Sequence, residues 1–191
     1  SVMVDVVLRH HGTVLDFVGD AIMVVFGAPV FKEEHAAEAI ACAIEMQLAM
    51  EDVNQWNFVN GLPNLQMGIG LNTGSVIIGN LGSEKHIKYG LMGSNVNLTA
   101  RIESYTVGGQ VFISKETLQA TGCEIIINRS MEVVPKGIAT PVTVYDIAGI
   151  GEPYNLFLPD LTLKVVEIPD GIPVKVSIIE DKHCSINVMS G

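Results

Sequence analysis

The sequence predicts an α+β chain, with a mixed, largely antiparallel sheet, flanking helices and a short C-terminal β extension. Three observations carry that prediction. Short β-rich runs occur in pairs around turn residues, as at Gly19-Asp20 and Pro169-Asp170-Gly171. Residues 33–54 repeat Ile40, Ile44 and Leu48 at four-residue spacing, with Ala36, Ala39 and Ala43 nearby, which is the period of a helix. Hydrophobic residues make up 48% and charged residues 17% of the 191, so the chain has a globular composition rather than a disordered one.

Taken in order, Val2, Val6 and Val7 followed by Arg9-His10-His11 read as the last turns of a helix that Gly12 ends. Residues 13–18 and 21–26 are strands of a hairpin, and residues 33–54 a helix. Asn60-Gly61-Leu62-Pro63 breaks the chain. Residues 65–72 and 75–79 read as a strand pair around Asn72-Thr73-Gly74, and 80–88 as a polar hairpin arm. A helix over 94–105, capped by Ser94 or Asn95, precedes a strand at Val111–Ser114, a short helix over 115–121 and strands over 123–134 and 141–148. The character changes after Gly149-Ile150-Gly151-Glu152-Pro153. The expected division is therefore a main domain over 1–150 and a β-rich tail, or the start of a second domain, over 151–191. In the tail, runs over 161–168 and 172–179 flank the Pro169-Asp170-Gly171 turn, and about forty residues are too few for an independent core.

The net charge of −10, with no basic run, argues against a nucleic-acid groove. Cys42, Cys123 and Cys184 lie far apart without a CxxC, which fits a reducing compartment and speaks against zinc. No apolar run reaches the ~18 residues of a membrane span, and no signal peptide is visible. The expectation is a cytoplasmic chain without direct membrane insertion. Neither end reads like a natural terminus, so a fragment of a longer protein is expected.

Three stretches hold candidate chemistry. In VLDFVGDAIMVVFGAP, residues 14–29, Asp20 sits at the tip of an apolar hairpin and Asp16 four residues before it. Asp after Gly is ordinary turn chemistry; the second reading is a ligand for a hard metal ion, which prefers carboxylates together with phosphate oxygens. MGIGLNTGSVIIGN, residues 67–80, is not a dinucleotide loop, because a β run rather than a helix follows its glycines. Those glycines permit a tight turn and close packing. In GLMGSNVNLTARIES, residues 90–104, Asn97 and Arg101 share one helix face. An amide beside a guanidinium suits a sugar and a phosphate. By spacing alone, a solvated helix face is the better supported reading.

Three segments together resemble the class III nucleotidyl cyclase catalytic domain, the adenylate/guanylate cyclase family. They are HGTVLDFVGDAIMVVFGAP, MGIGLNTGSVIIGNLGSEKHIKYGLMGSNVNLTARIES and KGIATPVTVYDI, in matching order and spacing over roughly residues 2–148. The resemblance implies a ferredoxin-like, cyclase-type fold and a reaction that turns a nucleoside triphosphate into a 3′,5′-cyclic nucleotide and pyrophosphate. It implies two Mg²⁺ or Mn²⁺ ions with Asp20 as one metal ligand. Asn97 matches the residue that orients the ribose, and Arg101 the residue that stabilises the α-phosphate in the transition state. Lys136 is either a triphosphate contact or an ordinary surface lysine. A homodimer is implied, each site taking Asp20 from one chain and Asn97 with Arg101 from the other, with residues 80–88 embracing the partner.

Two departures stand out. The family's first strand carries the other metal aspartate, and no residue here occupies that place; Asp5 lies in a helical pattern and reads as surface. The chain alone is therefore expected to have little or no turnover, and the alternative function is an inactive cyclase-like dimerisation or regulatory module. The second departure concerns the base. Adenylate cyclases usually carry Lys at the position of Asp16, and Asp or Thr at that of Gly90; guanylate cyclases usually carry Glu and a small residue. An acid suits guanine, whose N1–H and 2-amino group donate, and faces adenine N1 badly. The expected substrate leans to GTP, otherwise ATP, unless Asp16 is merely a tolerated strand-edge acid.

Overall fold

The computed structural model describes residues 2–83, 86–135, 140–159, 174–179 and 183–188; Lys136 lies outside them. The chain forms two compact units, Ser1–Asp160 and Leu161–Gly191, where the sequence reading put the change at 150/151.

In the first unit, α1 (Val2–Arg9) leads into the antiparallel hairpin of β1 (Thr13–Val18) and β2 (Ala21–Val25). After α2 (His35–Val59) come β3 (Ile69–Leu71) and a second antiparallel hairpin, β4 (Ile77–Ser83) with β5 (His86–Met92). Then follow α3 (Ser94–Glu103), β6 (Val111–Ser114), α4 (Lys115–Ala120), β7 (Ile125–Val133), β8 (Val142–Ile150) and the short β9 (Leu156–Phe157). The main sheet runs β3-β6-β8-β7, with β9 pairing to β8. Only its β3–β6 pairing is parallel. This is the mixed, largely antiparallel α+β architecture that the sequence predicts.

Packing explains the layers. Ala37, Ile40, Ala41 and Ile44 of α2 meet Val111, Ile113, Ile147 and Ile150 on one face of the sheet. On the other face Ile102 of α3 meets Phe112, Val133 and Val144. Covered on both sides, all four residues of β6 are buried. Cys42 and Met46 of α2 pack in turn against Val6 and Val7 of α1. The first half of α2 is thus buried nearly all round, not along the single stripe that the Ile40-Ile44-Leu48 spacing suggests; Leu48 is exposed. The alanines let helix and neighbours approach closely. Hydrogen bonds from Arg9 and His10 to Glu45 clamp α1 to α2. Burial raises the Glu45 carboxyl, but those bonds outweigh it and hold the group below its ordinary value.

Three local expectations change. β3 and β4 do not pair with each other across Asn72-Thr73-Gly74: β6 takes β3 and β5 takes β4. The loop is pinned instead by Asn95, whose Nδ2 donates to the Ser75 carbonyl at 2.9 Å, while Asn72 Nδ2 donates to the Asn95 carbonyl at 3.2 Å. A side chain at Gly74 would collide with Asn95, which is the close packing its glycine permits. Neither Ser94 nor Asn95 caps α3; the N-cap is Gly93, at a φ of 143° that other residues rarely adopt. In the second unit β10 (Val174–Ile179) pairs antiparallel with β11 (His183–Val188). The hairpin predicted around Pro169-Asp170-Gly171 has its first run and its turn outside the described residues, and its second run pairs onward with β11.

Candidate active site

The β1–β2 hairpin places two acids differently. Its register runs Val14 to Val24 and then Asp16 to Met23, so Leu15 is an extra residue, a β-bulge. Val14 and Val24 pack into the α1–α2 core. Strict alternation would send Asp16 to that same apolar face; the bulge shifts the phase by one and turns it away. Asp16 instead lines a cavity of about 210 Å³ with Leu15, Met23, Leu81, Tyr89 and Gly90. The sequence pairing of Asp16 with Gly90 is therefore spatial: β1 supplies one wall and β5 the other.

Asp20 is exposed at the tip, next to Gly19 at φ 65°, the conformation that the two-residue turn needs. It opens on a different cavity of about 1600 Å³, shared by β2, α2, β3 and α3. Asp16 does not line that larger space, and Asp20 does not line the smaller one. Four residues apart, the two acids line different cavities. Among the described residues no cluster of three His, Cys, Asp or Glu side chains could hold a metal ion.

On α3, Asn95, Val96, Thr99, Ala100 and Glu103 turn to the large cavity, and Leu98 and Ile102 to the sheet. At ~100° per residue, Asn97 and Arg101 fall on the remaining face. Asn97 is exposed and Arg101 half-buried, and neither side chain has a hydrogen-bond or ion-pair partner among the described residues. Asn97 and Arg101 stand together, but one chain does not bring them into either cavity with Asp20. Asp5, read as surface, is exposed.

Sequence reasoning missed Leu15, Met23, Leu81 and Tyr89 as cavity walls. Pairing Asp16 with Met23 across the hairpin would have found Met23 once the bulge was known, but a bulge leaves no signal in an apolar run. It also treated Asn95 as a cap, when its side chain organises the 72–75 loop. Among the described residues no helix is long and apolar enough to cross a membrane.

Residues 2–149 match the family described as the adenylate and guanylate cyclase catalytic domain. Adenylate cyclase 1 of Rhizobium meliloti (strain 1021) is 28% identical over 153 residues, 79% of this chain and 23% of that protein. The crystal structure of the guanylyl cyclase Cya2 matches with a TM-score of 0.80 at 54% identity, covering 82% of this chain and 80% of that one. The adenylyl cyclase CyaB from P. aeruginosa matches with a TM-score of 0.72 at 29% identity, covering 78% of each chain. The chain spans only 23% and 18% of the length of the first two curated relatives it matches. The family match begins in α1 and continues nearly to the end of β8, and on that ground the chain belongs to the adenylate and guanylate cyclase catalytic domains.

Proposed function

We propose that this chain is a nucleotidyl cyclase domain acting on GTP in preference to ATP, with sites shared across a homodimer. The observation that carries the reading is that Asp16 and Gly90 line one small cavity while Asp20 opens elsewhere. A space of about 210 Å³ is smaller than the ~300–1,000 Å³ that encloses a whole ligand, so it suits one part of a nucleotide, its base. There Asp16 accepts from guanine N1–H and the 2-amino group, and Gly90 leaves room for the 6-oxo edge. The higher identity to the guanylyl cyclase Cya2, 54% against 29% to the adenylyl cyclase CyaB, supports the same leaning.

Arg101, without a partner of its own among the described residues, pairs with the oxygens of the α-phosphate. Asn97, one turn earlier, holds the ribose. The ribose 3′-oxygen forms a bond to the α-phosphorus, the bond to the bridging oxygen breaks, pyrophosphate leaves and the 3′-hydroxyl proton passes to solvent. Asp20 fits a share in a Mg²⁺ or Mn²⁺ site, because it is a hard carboxylate at an open tip, and such ions combine one or two carboxylates with substrate phosphates. When bound, the ions supply positive charge to the phosphates and the attacking oxygen. Lys136 is a further candidate for the triphosphate. Such a reaction belongs in the cytoplasm, where nucleoside triphosphates are made.

Because Asp20 and the Asn97–Arg101 pair are apart in one chain, each site takes them from two. The test mixes Asp20→Ala with Arg101→Ala protein and measures cyclic GMP and cyclic AMP in excess Mn²⁺. Each variant alone should be inactive, and the mixture should recover about a quarter of wild-type activity, because half the dimers are mixed and each has one intact site. No recovery, beside an active wild type, refutes sharing. A second reading is an inactive dimerisation or regulatory module. Wild-type protein that binds neither GTP nor ATP would favour it.

A further inference from the structure

We propose that Leu81 is a specificity-determining residue, the wall that holds the purine against Asp16. The inference rests on reading the small cavity as the base site. In the β4–β5 register Gly79 faces Gly90 and Leu81 faces Lys88. Gly79, Leu81 and Gly90 thus lie on one face of the hairpin, with Leu81 diagonal to Gly90. The two facing glycines themselves add no side chain to it. A Cβ built on Gly79 would meet nothing within 4 Å, and one built on Gly90 would meet only the Cδ1 of Leu81, at 3.3 Å, among the described residues. Leu81 therefore occupies the space that a side chain at position 90 would claim.

This arrangement sets how the base is gripped. Asp16 and Met23 come from the first hairpin, Leu81 and Gly90 from the second. With no side chain at 90, a purine slides until it touches the Leu81 methyl groups, and that contact fixes its distance from the Asp16 acceptor. An apolar wall discriminates weakly by itself. Its effect is larger where it controls the length of hydrogen bonds that only guanine makes. Bulk at positions 81 and 90 is consequently interchangeable: a methyl added at 90 pushes Leu81 by a few tenths of an ångström, and a smaller residue at 81 makes room for it.

The experiment measures GTP and ATP binding by calorimetry, with Ca²⁺ as the ion, and KM and kcat wherever turnover is present. The proteins are wild type, Leu81→Ala, the milder Leu81→Val, Gly90→Ala, the double variant Leu81→Val with Gly90→Ala, and Asp16→Ala. Leu81→Ala should weaken GTP about tenfold and ATP little, so that the GTP/ATP ratio falls while kcat holds. Gly90→Ala should weaken GTP several-fold, and the double variant should bind better than the product of its single effects. Thermal melts identify any variant that does not fold, and Leu81→Val then stands in for Leu81→Ala. An unchanged GTP/ATP ratio in a folded Leu81 variant, or purely multiplicative effects in the double, overturns the role of Leu81. If Asp16→Ala also leaves GTP binding unchanged, the cavity is not the base site and the underlying reading fails as well.

Discussion

Every residue of β6 is buried, whereas on the β1–β2 hairpin Phe17 is 59% exposed, Val18 is 56% exposed and Asp20 stands at an open tip. The difference separates what holds this chain together from what it presents. The side chains of β6 are accounted for by α2 on one face and α3 on the other. Those of the hairpins are not: Ile77 and Met92 of β4–β5 are 68% and 54% exposed. In the proposed reading the second protomer covers these apolar residues.

Breaking the sheet side should have the largest effect. Ile44→Ala leaves a cavity against Val111 and Ile147 and should cost about 2–5 kcal/mol, read as a lower denaturant midpoint. The folded fraction should keep its GTP/ATP ratio; a changed ratio would show that core and site are not separable. Breaking the presented side should do the reverse. Arg101→Ala should lower kcat by about 10²–10³ with the melting temperature unchanged, because the guanidinium has no partner in its own chain among the described residues.

A smaller effect sharpens the comparison within the hairpin. Asp16→Lys should weaken GTP use by roughly 1–3 kcal/mol, since it removes an acceptor facing guanine donors. Asp16→Lys with Gly90→Thr should use ATP better than the single change. The bulk at Gly90 presses on Leu81, so that gain should be modest. The ratio of kcat/KM for the two nucleotides decides it, and an unchanged ratio in Asp16→Lys would reduce Asp16 to a strand-edge acid.

The smallest effect lies where α1 meets α2. Arg9 and His10 hold the Glu45 carboxyl below its ordinary value, with Glu38 also facing His10 at 3.6 Å. A carboxylate depressed in the folded state stabilises above its unfolded value, and the contribution fades as pH falls through the folded value. Melting temperatures of wild type and Glu45→Gln should therefore differ at pH 7 and converge in acid. Arg9 is 58% exposed, so the difference should stay under about 1 kcal/mol. A gap that widens in acid would contradict the sign.

Legibility followed the range of the interactions. β6 was predicted at its observed bounds, because Val111–Ser114 is a short apolar run fully buried on both faces. The first hairpin was readable because Gly19-Asp20 satisfies a two-residue turn without help from distant residues. The pairing of Asn72–Gly74 as a turn failed for the opposite reason: Asn95, more than twenty positions away, holds that loop.

By itself, then, the sequence determined the features that depend on neighbours along the chain. These are the Gly19-Asp20 tip, the one-turn spacing of Asn97 and Arg101, the α+β class and the family likeness. Only the tertiary structure decided that the Leu15 bulge swings Asp16 off the core face and into one cavity with Gly90. It alone decided that β3 joins β6, and that α2 is buried between sheet and α1. The physical reason is that turn and helix geometry are set by torsions over a few residues. Strand register and cavity walls are set by packing between segments whose separation in sequence carries no signal of their contact.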